Sequence, residues 1–119
     1  MRSLRLLALL TSVLAAPALA HHGWGWTDGG EFSLTGTVAA ADLGNPHGVL
    51  TVTVDDETWT VEVGQPWRNA QAGLTDEMLA PGAAITAEGH RSADPGQLLM
   101  KAERLVIDGQ SYNLYPDRS

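Results

Sequence analysis

The sequence predicts an all-β domain with a short helical connection, folded as a five- to six-stranded OB-like Greek-key barrel. Segments of alternating apolar and polar residues recur along the chain, and clusters of turn residues separate them. A stretch without alternation follows the third segment. Three strands, a helical connection and two more strands form the order of an OB-type barrel. A small β-sandwich or an open roll is the alternative arrangement.

The first three predicted strands form a meander. Residues 32–43, FSLTGTVAAADL, are rich in β-formers and small side chains, and the turn GNPHG follows at 44–48 because these residues favour non-helical backbone. VLTVTVDD at 49–56 and TWTVEVG at 58–64 alternate around an acidic turn. This pattern is typical of a hairpin with one buried face, and it assigns Trp59 to the core.

The second half of the chain supplies the helical connection and the remaining strands. Residues 66–80 carry no alternation and contain Ala, Gln, Leu and Met, so they predict short helical turns that end at the Pro-Gly pair 81–82. AAITAEGH at 83–90 predicts a fourth strand. Residues 98–114 predict a fifth strand and, after a tight Asp-Gly turn, a short sixth.

The first 20 residues have the pattern of a secretory signal peptide. Arg2 and Arg5 precede an apolar run, and Ala-Leu-Ala ends it in the small-x-small pattern of a cleavage site after Ala20. The run is shorter than the ~20 residues of a membrane-spanning helix. We therefore expect a periplasmic protein with no membrane span after cleavage. The predicted organisation is a signal peptide at 1–20, a Gly/Trp-rich arm at 21–31 and a barrel domain at 32–119.

Composition narrows the classes of partner. The formal net charge is -7, and loss of the two leader arginines makes it -9. Such an acidic domain is a poor partner for nucleic acid or anionic membrane surfaces, and small cations are favoured instead. The chain has no cysteine, which excludes disulfides, thiolate metal sites and cysteine nucleophiles.

His21 is the strongest candidate metal ligand, because the predicted cleavage makes it the first residue. Its α-amine and ring Nδ1 can chelate one ion, and their reference pKa values of about 7.7–8.0 and 6.5 allow both to lose their protons near neutral pH. One further imidazole gives a three-nitrogen site that suits Cu(II) best among the first-row ions. His22 can assist through its ring or amide. The alternative interpretation is that the pair only makes the start of the chain soluble.

His47 and His90 are the candidates for the third nitrogen. His47 lies in the stiff NPHG turn, and His90 ends the predicted fourth strand. In the OB order, the start of the first strand and the end of the fourth lie at one end of the barrel, which favours His90, whereas a bent first strand favours His47. The alternatives are a structural turn histidine and a surface histidine.

Two tryptophans in the arm, Trp24 and Trp26, share one face if the arm is extended. They can shield a metal site, form a binding surface for a partner, or pack the arm onto the barrel. The sequence contains no nucleophile motif, no phosphate-binding glycine loop and no HExxH pair. We therefore predict a non-enzymatic protein.

Several motifs together resemble a family of small exported bacterial proteins that is classed as a domain of unknown function. They are HHGW after the leader, LTGTV, NPHG, WTVEVGQPW, LTDEMLAPG and ITAEGH before an Asp-Pro-Gly loop. The resemblance covers nearly the whole mature chain, and His21, His22, His47 and His90 match it by position. It implies a periplasmic β-barrel-like domain and no established activity. This chain departs from the family pattern around the NPH turn, at Leu43-Gly44 and Gly48.

These observations lead to three functional hypotheses. The first is an exported periplasmic domain that binds copper through the mature N-terminal histidine. The second is an OB-like interaction module that binds a periplasmic protein, peptide or saccharide through Trp24 and Trp26 without metal. The third, an oxidative copper enzyme built on the same histidines, is less favoured because a small barrel offers little substrate surface.

Overall fold

The computed structural model describes residues 23–118. The predicted signal peptide and the candidate ligands His21 and His22 lie outside these residues. Short single turns of 3-10 helix occur at Glu77–Leu79 and Pro116–Arg118. The other elements, in chain order, are β1 (Phe32–Asp42), β2 (Val49–Val54), β3 (Glu57–Glu62), α1 (Pro66–Ala72), β4 (Ala84–Arg91), β5 (Leu99–Ile107) and β6 (Gln110–Asn113).

The first five strands close into a barrel, which confirms the predicted OB-like fold. β1 pairs antiparallel with β2 and β4, β2 with β3, and β4 with β5. β3 and β5 then pair in parallel, with Glu62 opposite Lys101, and complete the circle. This closing pair distinguishes the barrel from an open roll. β6 extends the sheet beyond β5.

Tight turns join the hairpin strands where the sequence predicts them. Val54 pairs with Glu57, so Asp55 and Asp56 form the turn, and Asp55 has a φ of 51°. The turn between β5 and β6 has φ values of 52° at Asp108 and 78° at Gly109. Asp and Gly tolerate this left-handed backbone better than other residues, which explains an Asp at the first turn and an Asp-Gly pair at the second.

The core lies inside the barrel and follows the alternation of the strands. Trp59, which the sequence assigns to the core, is only 4% exposed. One inward position must stay small, because a Cβ at Gly89 would overlap the backbone oxygen of Lys101. The largest fully buried side chains are Leu50, Leu79, Met100, Leu105, Leu114, Val38, Val52, Val61 and Val63.

The connection between β3 and β4 contains the predicted helical turns. Pro66 begins α1, where its missing N–H costs no hydrogen bond, and Gly73 ends the helix with a φ of 95°. The backbone N–H of Met78 donates to Thr75 Oγ1 at 3.4 Å in the following turn. Within residues 23–118, no helix has the length and hydrophobicity that a membrane crossing requires.

Candidate functional site

Three charged side chains point outward from the barrel where β3 meets β5, yet all three are buried. They are Glu62 (5% exposed), Lys101 (9%) and Glu103 (5%), and we call this surface the seam. Alternation places them opposite core residues on the same strands, so a polar outward side chain is expected there. Their burial requires a cover on the outside of the barrel.

The N-terminal arm forms the first part of this cover. The ammonium group of Lys101 donates to the carbonyl oxygen of Gly23 at 2.9 Å and lies 4.7 Å from the centre of the Trp24 ring. Further along, the arm runs beside the end of β4, where Asp28 N donates to Arg91 O. The arm is therefore fixed to the barrel from Gly23 onward.

The C-terminal segment forms the second part of the cover. Backbone N–H groups of Leu114 and Tyr115 donate to Glu103 O. The Tyr115 ring meets Trp24 edge to face at 5.0 Å, and the Arg118 guanidinium lies 3.9 Å from the centre of the Trp24 ring. The two ends of the described chain thus meet over the seam.

Burial changes the protonation behaviour of two groups beneath this cover. Desolvation lowers the pKa of Lys101 below its usual value, and the nearby Glu62 carboxylate partly opposes the change. Desolvation also raises the pKa of the Tyr115 phenol, against the opposing effect of the Arg68 guanidinium. Both shifts reflect the water-poor environment of the seam.

His47 lies at one side of the seam on a constrained loop. Its Nε2 is 2.7 Å from Glu62 Oε1, and its side chain is 24% exposed. The backbone of the next residue, Gly48, is held by two hydrogen bonds: its N–H donates to Gly64 O, and its carbonyl oxygen accepts from Val63 N. The loop therefore presents the imidazole from a fixed backbone, with a buried carboxylate behind it.

His47 and the start of the described arm share a cleft of about 260 Å³. Its lining includes Gly23 and Trp24 of the arm together with His47 and Lys101. Behind the histidine, the second carboxylate oxygen of Glu62 is buried and has no hydrogen-bond partner among residues 23–118. The cleft thus contains an imidazole that is backed by a buried acid, and the start of the described arm lines the same cleft.

His90 lies on the other side of the seam and has both ring nitrogens engaged. Nδ1 is 2.7 Å from Gly30 O, and Nε2 is 2.6 Å from Glu103 Oε1. A carbonyl oxygen and a carboxylate both accept hydrogen bonds, so each ring nitrogen faces an acceptor. The histidine joins the arm to β5, and ligating a metal would break one of these contacts.

The structure keeps the two described histidines apart. His90 pairs with Lys101 across β4 and β5, and Lys101 pairs with Glu62 across β5 and β3. With strands about 4.8 Å apart, the Cα atoms of His90 and Glu62 are separated by about 10 Å. Each histidine contacts its own carboxylate. In the described part of the chain, no three His, Asp or Glu side chains form a group that could hold a metal ion.

The tryptophans of the arm are partly buried. Trp24 contacts His90, Tyr115, Lys101 and Arg118, which places its ring within the cover of the seam. Trp26 is also partly buried, and its carbonyl oxygen accepts from Ala93 N. The packing of the arm onto the barrel is thus the arrangement observed for both residues.

The sequence analysis missed the residues that surround the histidines. Alternation in TVEVG and MKAERL places Glu62, Lys101 and Glu103 on the outer face, where solvent-exposed charges are the ordinary expectation. Their burial depends on Tyr115 and Arg118, which are distant in sequence. The sequence does place acidic and basic residues on β3 and β5. That these residues form one cluster becomes clear only once the parallel pairing of the two strands is known.

The closed five-stranded barrel with a helix between its third and fourth strands defines an OB-like domain. A chain of the S. pombe Stn1–Ten1 complex has this fold with a TM-score of 0.53 and 17% sequence identity. The match covers 65% of the present chain and 57% of that chain, so our protein spans little more than half of its structural neighbour. At this identity, the likeness concerns the fold alone.

The sequence matches a family of unknown function, DUF6152, over residues 9–98. The chain belongs to this family, which confirms the resemblance to a domain of unknown function. Membership assigns no catalytic activity, because the family has no known function. A search among curated proteins gave no match.

Proposed function

We propose that the protein is an exported periplasmic copper-binding domain without enzymatic activity. The ion is held by the amine and ring Nδ1 of His21, the mature N-terminal residue, together with the imidazole of His47. The observation that carries this proposal is the shared cleft, whose lining includes both Gly23 of the arm and His47.

The covalent chain supports the participation of His21. Consecutive Cα atoms are 3.8 Å apart, so a residue two positions before Gly23 stays within about 8 Å of it. Gly23 is itself anchored, because its carbonyl oxygen accepts from Lys101 Nζ at 2.9 Å. A mature terminus at His21 is thus tethered to the cleft that contains His47.

The hydrogen bond between His47 and Glu62 supports a metal-binding role for this histidine. The Nε2 atom of His47 lies 2.7 Å from Glu62 Oε1, so it can donate to this carboxylate. Metal-bound histidines commonly donate their second nitrogen to a carboxylate, which orients the ring and raises its basicity. We propose His47 as the third ligand because it lines the cleft that the arm enters, whereas His90 joins the arm to β5 through both ring nitrogens.

The test compares two matched variants, His47→Gln and His90→Gln, after intact mass confirms that the secreted protein begins at His21. Cu(II) titration monitored by EPR should show one nitrogen-rich site in the natural protein and in His90→Gln. His47→Gln should lose about 100-fold in affinity, since it removes a ligand and not only its support. Equal loss in both variants, or loss in His90→Gln alone, would contradict the assignment of His47.

The interaction module remains the second candidate function. The residue that supports it is not Trp24 or Trp26, which are partly buried, but a different tryptophan. An exposed tryptophan, Trp67, is 57% accessible. Absence of copper binding in all of these proteins would make this module the working function.

A further inference from the structure

A second cleft, of about 490 Å³, lies between α1 and the segment that follows β6. Its size falls in the range of about 300 to 1,000 Å³ that is usual for small-molecule sites. Trp67 forms one wall, and Gln71, Asn113 and Asp117 contribute amide and carboxylate groups to the lining. An aromatic surface is thus combined with neutral polar groups, one acid and one cation, Arg68.

Trp67 is exposed but firmly held. It follows Pro66 in the first turn of α1, and the backbone N–H of Arg68 donates to Gln65 O at 2.9 Å. The Arg68 guanidinium lies 4.6 Å from the centre of the Trp67 ring. A large aromatic group that is already ordered loses little conformational entropy on binding, which makes it a good platform for a ligand.

Arg68 is committed to contacts within the protein. Its guanidinium lies 4.3 Å from the centre of the Tyr115 ring, and its Nη1 donates to Leu114 O at 3.1 Å. These contacts join α1 to the C-terminal segment and fix the width of the cleft. They also separate it from the His47 cleft, because Arg68 and Tyr115 lie between the two.

We propose that this cleft binds a neutral oligosaccharide. A pyranose ring has an apolar face of C–H groups, which suits the electron-rich face of an indole, and its hydroxyls can bond to Gln71 and Asp117. A nucleic acid base would also stack on Trp67, but the net charge of -7 and Asp117 in the lining oppose its phosphates. The cation of the lining, Arg68, is already engaged by the Tyr115 ring and Leu114 O. The charge of the protein thus favours the sugar.

The test is NMR titration of the folded protein with cellotriose and with N,N′,N″-triacetylchitotriose. At least one should shift the signals of the Trp67 indole N–H and the Gln71 side-chain amide, with a Kd of roughly 1 mM. Trp67→Ala should weaken binding about tenfold or more, whereas Trp67→Phe, which keeps an aromatic platform, should retain most of it. Asp117→Asn should bind nearly as well, because an amide still bonds to hydroxyls.

Three results would overturn the proposal: no shift with either sugar, shifts that Trp67→Ala leaves unchanged, or shifts produced by a hexaproline peptide and by neither sugar. Because Trp67 is largely exposed, its substitution should leave the fold intact, and an NMR spectrum of Trp67→Ala that keeps the dispersion of the natural protein provides the control for folding. Failure of this test leaves the copper proposal unaffected, since the two clefts use different residues.

Discussion

At the scale of single residues, Glu62 determines the orientation of the His47 imidazole. A buried carboxylate is costly unless it is paired, and one oxygen of Glu62 is paired with the His47 ring. The same side chain lies opposite Lys101 in the closing strand pair and acts on its pKa. Glu62 therefore links the electrostatics of the seam to the orientation of the imidazole.

We expect Glu62→Gln to lower the affinity for Cu(II) by about 10- to 100-fold, the usual effect of losing a carboxylate behind a metal-bound histidine. The amide is similar in size but a weaker acceptor, so the ring loses basicity and a fixed orientation. Isothermal titration calorimetry on the secreted protein measures the change. Glu88→Gln is a suitable control, because Glu88 contacts Arg104 and not His47. Unchanged affinity in Glu62→Gln would show that this carboxylate does not support the metal site.

At the scale of secondary-structure elements, the seam depends on how closely β4 approaches β5. The register shifts between Glu88 and Gly89, and Gly89 then lies opposite Ala102. A side chain at Gly89 would overlap the Lys101 backbone oxygen and approach Glu103 N to 2.9 Å. Both obstacles are backbone atoms, which cannot move without separating the strands.

Gly89→Ala should therefore destabilise the domain by about 1 to 3 kcal/mol, the usual range for overpacking. Urea unfolding monitored by tryptophan fluorescence gives the change in the free energy of unfolding. Gly25→Ala serves as the control, because a Cβ at that position meets no atom within 4 Å. If the two variants proved equally stable, the close contact between β4 and β5 would not constrain the fold.

The elements themselves follow from sequence in a way that the seam does not. Alternation in β2 and β3 indicates which residues enter the core, and Asp-Gly chemistry indicates a tight turn, because both signals are local. The burial of Lys101 and Glu103 is not local, since it requires Trp24 and Tyr115 to meet on the outside of the barrel. The choice between His90 and His47 is not local either, because it depends on the path of the arm.

At the scale of the whole molecule, the barrel uses its closing strand pair as a support for both chain ends. The arm and the C-terminal segment cover Lys101, and the path of the arm places Gly23 in the lining of the cleft that also contains His47. On the far side of Arg68, the same C-terminal segment forms a wall of the Trp67 cleft. The domain thus presents two separate candidate sites, and the proposed copper site depends on where the mature chain begins.

The most direct test of the copper proposal blocks the α-amine of His21 by selective acetylation and compares Cu(II) binding by EPR with that of the unmodified mature protein. Acetylation turns the amine into an amide, which is a poor metal ligand near neutral pH. It adds no amino acid before His22, so it does not create a free amine two residues ahead of a histidine, an arrangement that binds Cu(II) tightly by itself. The proposal predicts that the tight nitrogen-rich signal of the unmodified protein is lost in the acetylated one. An identical signal in both proteins would contradict it.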